Sequence, residues 1–410
     1  MSLFGVNTLS LALIASGLML GGAPVLAEES FADAVTAGKT QITLRYRYEF
    51  VDQEGFSENA NASTLRTRLN YRTGRWNGFS VFLEAENVSA IIWDDFNSAA
   101  GTSSPDRNIY PVVADPNGTE FNQAYLDYNF SDDSNLRFGR QRILLDNQRF
   151  VGGVGWRQNE QTYDGFSYIS KFSNNAKLFI GYVWNVNRIF GDSVPAGDHE
   201  QDTILANLAF PIKGFGKLVG YWYNIDNKDA AAFSTSTLGL KWSGKVGGTD
   251  SRLSYGLEFA SQTDAANNPV DYNASYYRLD AAFAFKPLTL FAGYESLSGD
   301  ANKAGAAFRT PLATLHAFNG WADKFLATPG AGLNDLFFGV KGKLGKNKWV
   351  LLYHDYSAED GGGSFGSEIN ANFAIPIDKN FSVLLKAAIF DGAGGYPDTS
   401  KLWAMVNARF

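Results

Sequence analysis

The sequence of 410 residues contains no cysteine and only three histidines. Without cysteine, the chain can form neither a disulfide framework nor a thiolate metal site. Long apolar runs are also missing after residue 27, and the mean hydropathy is slightly negative, at −0.18. These absences exclude a helical membrane protein, whose spans need about 20 consecutive apolar residues.

One apolar segment opens the chain, at residues 1–27, and ends in Val25, Leu26 and Ala27 before the polar "EES". Small residues at this position are typical of a signal-peptidase site. We therefore predict a signal peptide over 1–27, cleaved after Ala27, and a mature barrel domain over 28–410. No lysine or arginine precedes the apolar region, which departs from the usual signal pattern. An uncleaved anchor is the alternative interpretation.

Alternation of apolar and polar residues dominates the remainder. The stretch "ITLRYRYEF", 42–50, places apolar residues on one side and Arg45, Arg47 and Glu49 on the other. Residues two apart on a strand share a face, so this stretch predicts a strand with an apolar and a charged face. The same alternation recurs in "EINANFAI", "FSVLLKAAIF" and "LWAMVNARF". Soluble sandwiches also alternate, so the lengths of the connections must decide the class.

Eighteen strands are predicted, at 41–50, 63–73, 78–88, 121–130, 134–141, 162–171, 175–188, 201–210, 216–226, 234–244, 250–262, 272–285, 287–298, 334–343, 347–357, 366–376, 380–389 and 400–410. Short connections such as "SDDS", "SNN" and "KP" alternate with longer ones. An even strand number with this rhythm is typical of bacterial outer-membrane barrels. The predicted fold class is therefore all-β: a transmembrane antiparallel β-barrel of about 18 strands. Short turns would face the periplasm and long loops the extracellular side.

Outer-membrane lipid is the first partner that this fold implies, because the apolar faces must contact it. The final stretch "KLWAMVNARF" places Phe410 on such an apolar face. This ending is similar to the terminal strand that the barrel-assembly machinery recognises. We therefore expect Phe410 to be the contact with that machinery and the bacterial outer membrane to be the location.

The polar faces of a closed barrel point into its lumen. The predicted pore-lining residues are Arg45, Arg47, Arg66, Arg68, Arg72, Glu84, Glu86, Asp127 and Arg137. Over all predicted inward faces, basic residues outnumber acidic ones by twelve to nine. A barrel of about 16 to 18 strands is wide enough for an aqueous channel.

The first two hairpins set the expected pairing of these charges. Their predicted register brings Arg47 near Arg66 and Arg45 near Arg68, with Glu84 opposite Arg66. Arg45, Arg68 and Arg72 would then lack an obvious carboxylate, and an unneutralised basic strip would attract anions. The alternative interpretation is that each arginine only braces the wall through an ion pair.

A polar segment follows the fifth predicted strand, in "LRFGRQRILLDNQRFVGGVGWRQNEQTYDGFSY", 136–168. It mixes arginines and carboxylates around the glycine-rich "VGGVG", where the backbone can turn closely. Guanidinium groups can make bidentate contacts to carboxylates. The composition favours a segment folded against the inside wall, and an exposed loop held by local ion pairs is the alternative.

Another long loop contains "PLATLHAFNGWADKF", 311–325, with apolar residues spaced by three or four. This spacing predicts a short amphipathic helix that plugs or lines the pore, or else caps the barrel mouth. The sequence leaves open whether the loops at 142–161 and 299–333 narrow the pore.

Three motifs resemble the alginate-export porins: "FGRQRILLDNQRFVGGVGWRQNEQTYDGF", "PLATLHAFNGWADKFLATPGAGLNDLFFGVKGK" and, more weakly, "NYRTGRWNGFSVFLEAENV". The resemblance covers nearly the whole mature chain. It implies a monomeric eighteen-stranded barrel with an arginine-lined lumen narrowed by loops, through which the family's namesake passes a polyuronate. The first two of these segments contain the residues that the resemblance implies as pore-loop residues. These candidates are Arg140, Arg142, Asp146, Arg149, Arg157, Asp164, Trp321, Asp323 and Lys324. The near-balanced wall charge departs from the family pattern.

The predicted function is therefore passive passage of anionic solutes. The more specific prediction is that these solutes are acidic oligo- or polysaccharides such as alginate. A general diffusion porin is the alternative. An outer-membrane hydrolase is disfavoured because His354 and Asp355 would point to opposite faces of a strand. No cofactor, metal site or nucleic-acid partner is predicted, since adjacent acids such as Asp94 with Asp95 favour a solvated face over a calcium site.

Overall fold

The computed structural model describes residues 30–99, 105–248 and 250–410. Within them, eighteen strands form one antiparallel sheet that closes on itself, because β1 pairs with both β2 and β18. The predicted barrel is confirmed. The predicted signal peptide, 1–27, lies outside the described residues, so its cleavage stays a prediction.

Each predicted strand has one counterpart. The strands are β1 (Lys39–Gln53), β2 (Ala60–Arg72), β3 (Phe79–Asp95), β4 (Gly118–Ser131), β5 (Ser134–Gln141), β6 (Thr162–Lys171), β7 (Lys177–Asn187), β8 (Asp198–Ile212), β9 (Gly216–Ile225), β10 (Thr235–Gly247), β11 (Ser251–Asp264), β12 (Asn273–Phe285), β13 (Leu288–Leu297), β14 (Leu333–Leu344), β15 (Asn347–Ser357), β16 (Ser364–Pro376), β17 (Phe381–Gly392) and β18 (Thr399–Arg409).

Alternation along these strands produces an apolar outside and a polar inside. On β14, Leu336 and Phe338 are 51% and 55% exposed, whereas the intervening Phe337 is buried and Asp335 is 1% exposed. Closure of the sheet gives each strand hydrogen-bonding neighbours on both sides, as a hydrocarbon environment requires. The exposed apolar faces therefore form the lipid-facing surface. In the described part of the chain, no helix is long and apolar enough to cross a membrane.

The two ends of the barrel differ. Connections as short as 132–133, 286–287 and 345–346 lie at one end, which we call the turn end. Longer connections, including 142–161 and 298–332, start from the opposite end, which we call the loop end. This is the short and long rhythm that the sequence predicted.

A short helix, α1 (Phe31–Thr36), precedes the barrel at the turn end. Its N-cap is Ser30, whose Oγ accepts a hydrogen bond from the backbone of Asp33 at 3.1 Å. The helix packs on the first turn, where Gly74 N donates to the Ala34 carbonyl at 2.7 Å. The capped helix thereby rests on the first turn, two residues before β1 begins.

The predicted register of the first hairpin is wrong by two residues. Arg45 is the partner of Arg66, and Arg47 is the partner of Thr64. Both strands extend further toward the loop end than predicted, so that Val51 pairs with Ala60. This extension buries Val51, Ala60 and Ala62 in an apolar cluster with Phe96 and Val113.

The predicted register of the second hairpin is also wrong. Arg68 lies opposite Glu86, and Glu84 lies opposite Asn70, so Arg66 faces Val88 instead of Glu84. The connecting turn holds its own isolated bridge between Trp76 and Phe79, which makes the hairpin longer than predicted. Alternation had fixed the faces of these residues but not their partners.

The predicted amphipathic helix at 311–325 is wrong too. The segment is irregular, apart from a single 3₁₀ turn at Leu315–Ala317. Asn319, Gly320 and Asp323 have positive φ of 53°, 85° and 64°, which a right-handed helix cannot accommodate. Helical spacing nevertheless identified side chains that become buried, among them Phe318, Trp321 and Phe325.

Candidate functional site

Two loops from the loop end fold into the barrel. The first inward loop comprises residues 142–161 and the second comprises 298–332. Gly152 N donates to the Leu312 carbonyl at 2.8 Å, and Val151 and Leu312 form an isolated parallel bridge. Each loop also contacts strands of the inner wall. The two loops are therefore joined to each other and narrow the lumen together.

Arg45, on β1, holds the first inward loop by its backbone. Its Nη1 donates to the carbonyl oxygens of Gly155, Trp156 and Arg157 at 3.1, 3.3 and 3.2 Å. Among the described residues, no carboxylate lies within 4.0 Å of this guanidinium. Arg45 is thus an arginine without a carboxylate, as predicted, but it is buried and its partners are carbonyl dipoles of the loop.

Ion pairs also connect the wall near Arg45 to the first inward loop. Arg47 contacts Asp115 at 3.0 Å, and Arg157 from the loop contacts Glu49 at 3.1 Å. Asp115 also accepts from the backbone of Gln158 at 2.7 Å. The side chains of Arg47, Glu49 and Asp115 are all fully buried. Asp115 lies in a long connection that alternation cannot assign to a face, so the sequence analysis missed it.

A carboxylate network connects the loop to β2 and β3. Glu160 contacts Arg68 at 3.2 Å and also pairs with Arg142, whose Nη2 lies 2.5 Å from Glu84. Arg68 pairs with Glu86 in addition. Although burial acts to raise it, the pKa of Glu160 falls to about 2, because Arg142 and Arg68 stabilise the carboxylate. Glu160 therefore stays ionised at any physiological pH.

Two predictions about unpaired arginines are consequently wrong. Arg68 has Glu86 and Glu160 as partners, and Arg72 contacts Asp127 at 3.3 Å. Glu160 comes from the inward loop, and Asp127 comes from β4, a strand that is not adjacent to that of Arg72. A hairpin-by-hairpin argument could reach neither partner.

The first inward loop also contacts the opposite wall. Arg149 Nε lies 2.8 Å from Glu295 on β13, and Arg149 Nη2 donates to Asn319 of the second loop at 3.0 Å. Asn319 donates in turn to Glu295 at 2.7 Å and to Asp335 at 3.1 Å. Burial acts to lower the pKa of Arg149, but Glu295 and Tyr276 together act against it, and the pKa is raised. Arg149 therefore couples both loops to the β13 and β14 wall.

Asp146 anchors the same loop further round the barrel. It accepts from Asn207 Nδ2 on β8 at 2.7 Å and lies 3.7 Å from Lys217 on β9. With Arg149 and Arg157, the loop thus holds ionic contacts to strands on several sides of the lumen. This arrangement favours the predicted inward placement of 142–161 over an exposed loop.

Asp323 is the centre of the second loop's contacts. Its carboxylate lies 2.6 Å from His316 Nδ1, 2.9 Å from Lys401 Nζ and 3.1 Å from Arg157 Nη2. Burial acts to raise its pKa, but His316 and Lys401 outweigh burial and hold the pKa well below its usual range. Lys401, on β18, lies within the predicted strand 400–410, but the sequence analysis did not include it among the predicted pore-lining residues. Asp323 therefore ties both loops to the closing strand of the barrel.

An aromatic cage surrounds the amine of Lys386 on β17. Lys386 Nζ lies 3.9 Å from the ring centroids of both Trp156 and Trp321 and 2.6 Å from His316 Nε2. The imidazole of His316 stacks on Trp156, with centroids 4.5 Å apart and planes 7° apart. Because Nε2 faces an ammonium donor and Nδ1 faces a carboxylate, His316 is neutral and carries its proton on Nδ1.

Trp321 and Lys324 complete the anchoring of the second loop. The backbone N–H groups of Trp321 and Ala322 both donate to Glu368 Oε1 on β16. Lys324 Nζ donates to Gln53 Oε1 on β1 at 3.0 Å. Burial and then nearby Lys401 lower the pKa of Lys324 to about 8. Predicted pore-loop residues of both segments thus meet in one buried assembly.

Arg140 and Asp164 do not belong to that assembly. They lie on β5 and β6, paired with each other at 2.9 Å, and alternate with the buried Gln141 and Tyr163, which face the lumen. By strand alternation, the pair faces the outside of the barrel near the loop end. Their prediction as pore-loop residues is therefore wrong, since the loop begins two residues after Arg140.

The lumen on the turn side of the loops is less enclosed. Arg72 and Arg137 share one carboxylate, that of Asp127, at 3.3 and 2.7 Å. The Arg72 side chain is 42% exposed, and its guanidinium lies over the ring of Phe82. In the described part of the chain, no carboxylate lies within 4.0 Å of Lys177 or Lys341. This stretch of wall therefore carries more positive than negative charge.

Comparison with known proteins agrees with this architecture. The alginate export family matches residues 38–304. OccAB4 of Acinetobacter baumannii is 13% identical, with a TM-score of 0.70, over 92% of this chain and 99% of its own. OccK9 (OpdG) of Pseudomonas aeruginosa is 12% identical with a TM-score of 0.71, and OpdK of the same organism, solved with vanillate, is 14% identical with a TM-score of 0.69. Both alignments cover 92% of this chain and 99% of the other.

No match was found among curated protein sequences. The family match spans more than half of the chain, and the structural likeness extends over the whole barrel. The predicted resemblance and the predicted location are both confirmed. The chain is an outer-membrane β-barrel porin and belongs to the alginate export family.

Proposed function

We propose that the protein is a passive channel for anionic solutes. The observation that carries this proposal is the unbalanced charge of the open wall on the turn side of the inward loops. Arg72 and Arg137 share a single carboxylate, and Lys177 and Lys341 have none within 4.0 Å. An excess of fixed positive charge along a narrow aqueous path attracts anions and repels cations.

The two inward loops bear on the size of the solute. They carry many buried side chains, including Phe150, Trp156, Phe308, Trp321 and Phe325. A lumen filled to this degree favours small anions or a single extended chain over bulky polymers. Small organic carboxylates and acidic oligosaccharides such as those of alginate are the solute classes that we propose. Vanillate, named in the structure of OpdK, is a solute of the first kind.

Histidine geometry supports a channel over a hydrolase. His354 is buried and contacts Asp335 at 2.7 Å, whereas Asp355 is exposed on the opposite face of β15. The two adjacent residues therefore cannot act as one relay. His354 instead joins the network that supports the second inward loop through Asp335 and Asn319.

For partners, we propose outer-membrane lipid around the apolar faces, a monomeric barrel, and recognition of β18 by the barrel-assembly machinery. The structure contributes one supporting observation to the last point. Phe410 is 59% exposed and packs edge-on against Phe381, with ring centroids 5.7 Å apart. Its backbone is fixed by hydrogen bonds with Ile42 on β1.

Ion selectivity of the purified protein in planar bilayers tests the proposal. We expect the native pore to prefer chloride over potassium by a modest factor at low salt. Combined replacement of Arg72, Lys177 and Lys341 with glutamine should bring the reversal potential close to zero. The effect should shrink at about 1 M salt, where the Debye length is only about 3 Å.

The matched control replaces Arg75, Lys346 and Lys379 with glutamine, because these residues lie in the turns rather than on the inward faces of strands. This control should leave the selectivity unchanged. A native pore with no anion preference would favour the general diffusion porin. A preference that survives the first triple substitution would assign selectivity to another part of the lumen.

A further inference from the structure

Three polar side chains at the loop end of β7 and β8 take no part in anchoring the inward loops. They are Arg188, immediately after β7, and His199 and Gln201 on β8. On β8, strand alternation places His199 and Gln201 on the lumen side, because both are buried whereas Asp198 and Glu200 are exposed. Each has hydrogen-bonding capacity that the described residues leave unused.

Gln201 presents an unpartnered donor. Its side chain is only 3% exposed, and no partner reaches its Nε2. The Thr203 hydroxyl accepts from the backbone N–H of Asp226 at 3.2 Å and donates its own proton to Gln201 Oε1 at 2.9 Å. This arrangement fixes the orientation of the amide, so the unused atom is an N–H group.

His199 presents a second donor. Asn227 Oδ1 accepts from the backbone N–H groups of Asp229 and Ala230, so its Nδ2 is the atom that donates to His199 Nδ1, at 3.0 Å. The neutral imidazole therefore carries its proton on Nε2. No described residue forms a hydrogen bond with this N–H group. Both unused groups on β8 are thus donors.

Arg188 supplies the charge. Its Nη1 donates to the Ala196 carbonyl at 3.2 Å, and its guanidinium lies 5.6 and 5.9 Å from the ring centroids of Phe190 and Phe233. Within the described ranges, no carboxylate lies within 4.0 Å of it. Phe233 also lies 6.2 Å from the ring of His199, which places the arginine and the imidazole beside the same aromatic side chain.

Two acidic residues of this region, Asp198 and Asp229, are engaged elsewhere. Asp198 accepts from Asn185 on the outward face, and Asp229 accepts from the backbone of Glu200 at 2.6 Å. Their side chains therefore do not neutralise the guanidinium of Arg188. A partly buried cation beside two unused N–H donors is an arrangement that an anionic oxygen ligand would satisfy.

We propose that Arg188, His199 and Gln201 form a binding site for the carboxylate of a solute at the loop end of the lumen. The rings of Phe190 and Phe233 border the site, which suits a carboxylate attached to a ring, as in a sugar acid or an aromatic acid. The inference rests on the proposed channel for anions and names a place in the lumen where such an anion binds. It differs from the wall charges on the turn side, which attract anions without a defined partner.

Binding of galacturonate to the purified full-length protein in detergent, measured by isothermal titration calorimetry, tests the site directly. Galactose, which lacks the carboxylate, serves as the neutral ligand. We expect galacturonate to bind more tightly than galactose. Arg188→Gln should weaken galacturonate binding about tenfold, since it removes a charge-assisted contact. Gln201→Glu should weaken it at least as much by adding a negative charge.

The control variant is Arg75→Gln at the turn end, where Arg75 lies 3.5 Å from Asp132, whose side chain is 98% exposed. It should bind galacturonate like the native protein. Heat-modifiable migration on gels verifies that each variant is folded. Equal galacturonate affinities of the native protein and the two site variants would overturn the inference. Reversal potentials answer the separate question of anion selectivity, so a failure of the site is distinguishable from a failure of the proposed function.

Discussion

At the residue scale, Asp323 is a buried carboxylate that connects the second inward loop to the first loop and to the wall. It faces three basic groups, those of His316, Lys401 and Arg157, and is buried with them. Asp323→Asn would leave Lys401 and Arg157 without that negative partner, and breaking a buried pair costs about 3 to 5 kcal/mol. We expect a lower temperature midpoint for loss of the heat-modifiable folded form in this variant.

A surface aspartate provides the comparison for that variant. Asp132 pairs with Arg75 at 3.5 Å, but its side chain is 98% exposed. Exposed ion pairs contribute about 0 to 1 kcal/mol to the stability of the folded protein. Asp132→Asn should therefore leave the midpoint nearly unchanged. If both variants had the same midpoint as the native protein, Asp323 would not be holding the loop.

Sequence reasoning identified many of these residues but few of their partners. Alternation correctly placed Arg68 and Arg72 on the inward face, because each strand carries its own pattern. Their carboxylates include Glu160 on the inward loop and Asp127 on a non-adjacent strand. Such partners depend on the loop path and on the shape of the closed barrel, neither of which a local pattern contains.

At the element scale, the second inward loop shows why a helical pattern was misleading. Apolar residues spaced by three or four at 311–325 are buried, yet they are buried by the wall and the first loop rather than by one helical face. Several of its backbone hydrogen bonds go to Gln148, Gly152 and Glu368, outside the segment, while those donated by Ala317 and Phe318 stay within the 3₁₀ turn. Outside this turn, tertiary contacts therefore take the place of the internal hydrogen bonds of a helix.

The same element should respond to acid through His316. Burial lowers its pKa well below the usual value of about 6.5, and the adjacent Lys386 adds to this, while Asp323 opposes it. A released loop would bind the proton more readily than the packed loop. The packed state is therefore favoured above about pH 6.5 and loses stability as the pH falls below that value, by up to about 1.4 kcal/mol per pH unit.

Hydrogen–deuterium exchange of the peptide that covers 311–325 measures this response. After correction for intrinsic exchange rates, we expect protection to decrease by up to about tenfold per pH unit below about pH 6.5. His316→Gln should show a weaker pH dependence, since the titrating group is gone. The Glu160 contacts of the first loop should persist throughout this range, because the pKa of Glu160 is about 2. Protection that is constant with pH in the native protein would contradict the assignment to His316.

At the scale of the whole molecule, strand number and fold were the most predictable features. Each of the eighteen strands is recognisable from its own alternation of apolar and polar residues. In lipid, every backbone hydrogen-bonding group must be satisfied within the protein, so such strands close into a barrel. Register was less predictable, because moving the pairing of Arg45 from Arg68 to Arg66 leaves every side chain on the same face. The length of the first hairpin decides between these two registers. Burial of the paired Val51 and Ala60 in an apolar cluster favours the longer hairpin.

The orientation of the barrel in the outer membrane is a final prediction, argued from the difference between its two ends. Long loops that start from one end and short turns at the other are typical of barrels whose turns face the periplasm. Asn302→Cys, in the exposed part of the second inward loop, should react with a membrane-impermeant maleimide on intact cells. Lys346→Cys, in the short turn after β14, should react only after the outer membrane is opened. The native chain has no cysteine, so it supplies an unlabelled background. Labelling of Lys346→Cys on intact cells, with Asn302→Cys protected, would require the opposite orientation and would place the Arg188 site on the periplasmic side.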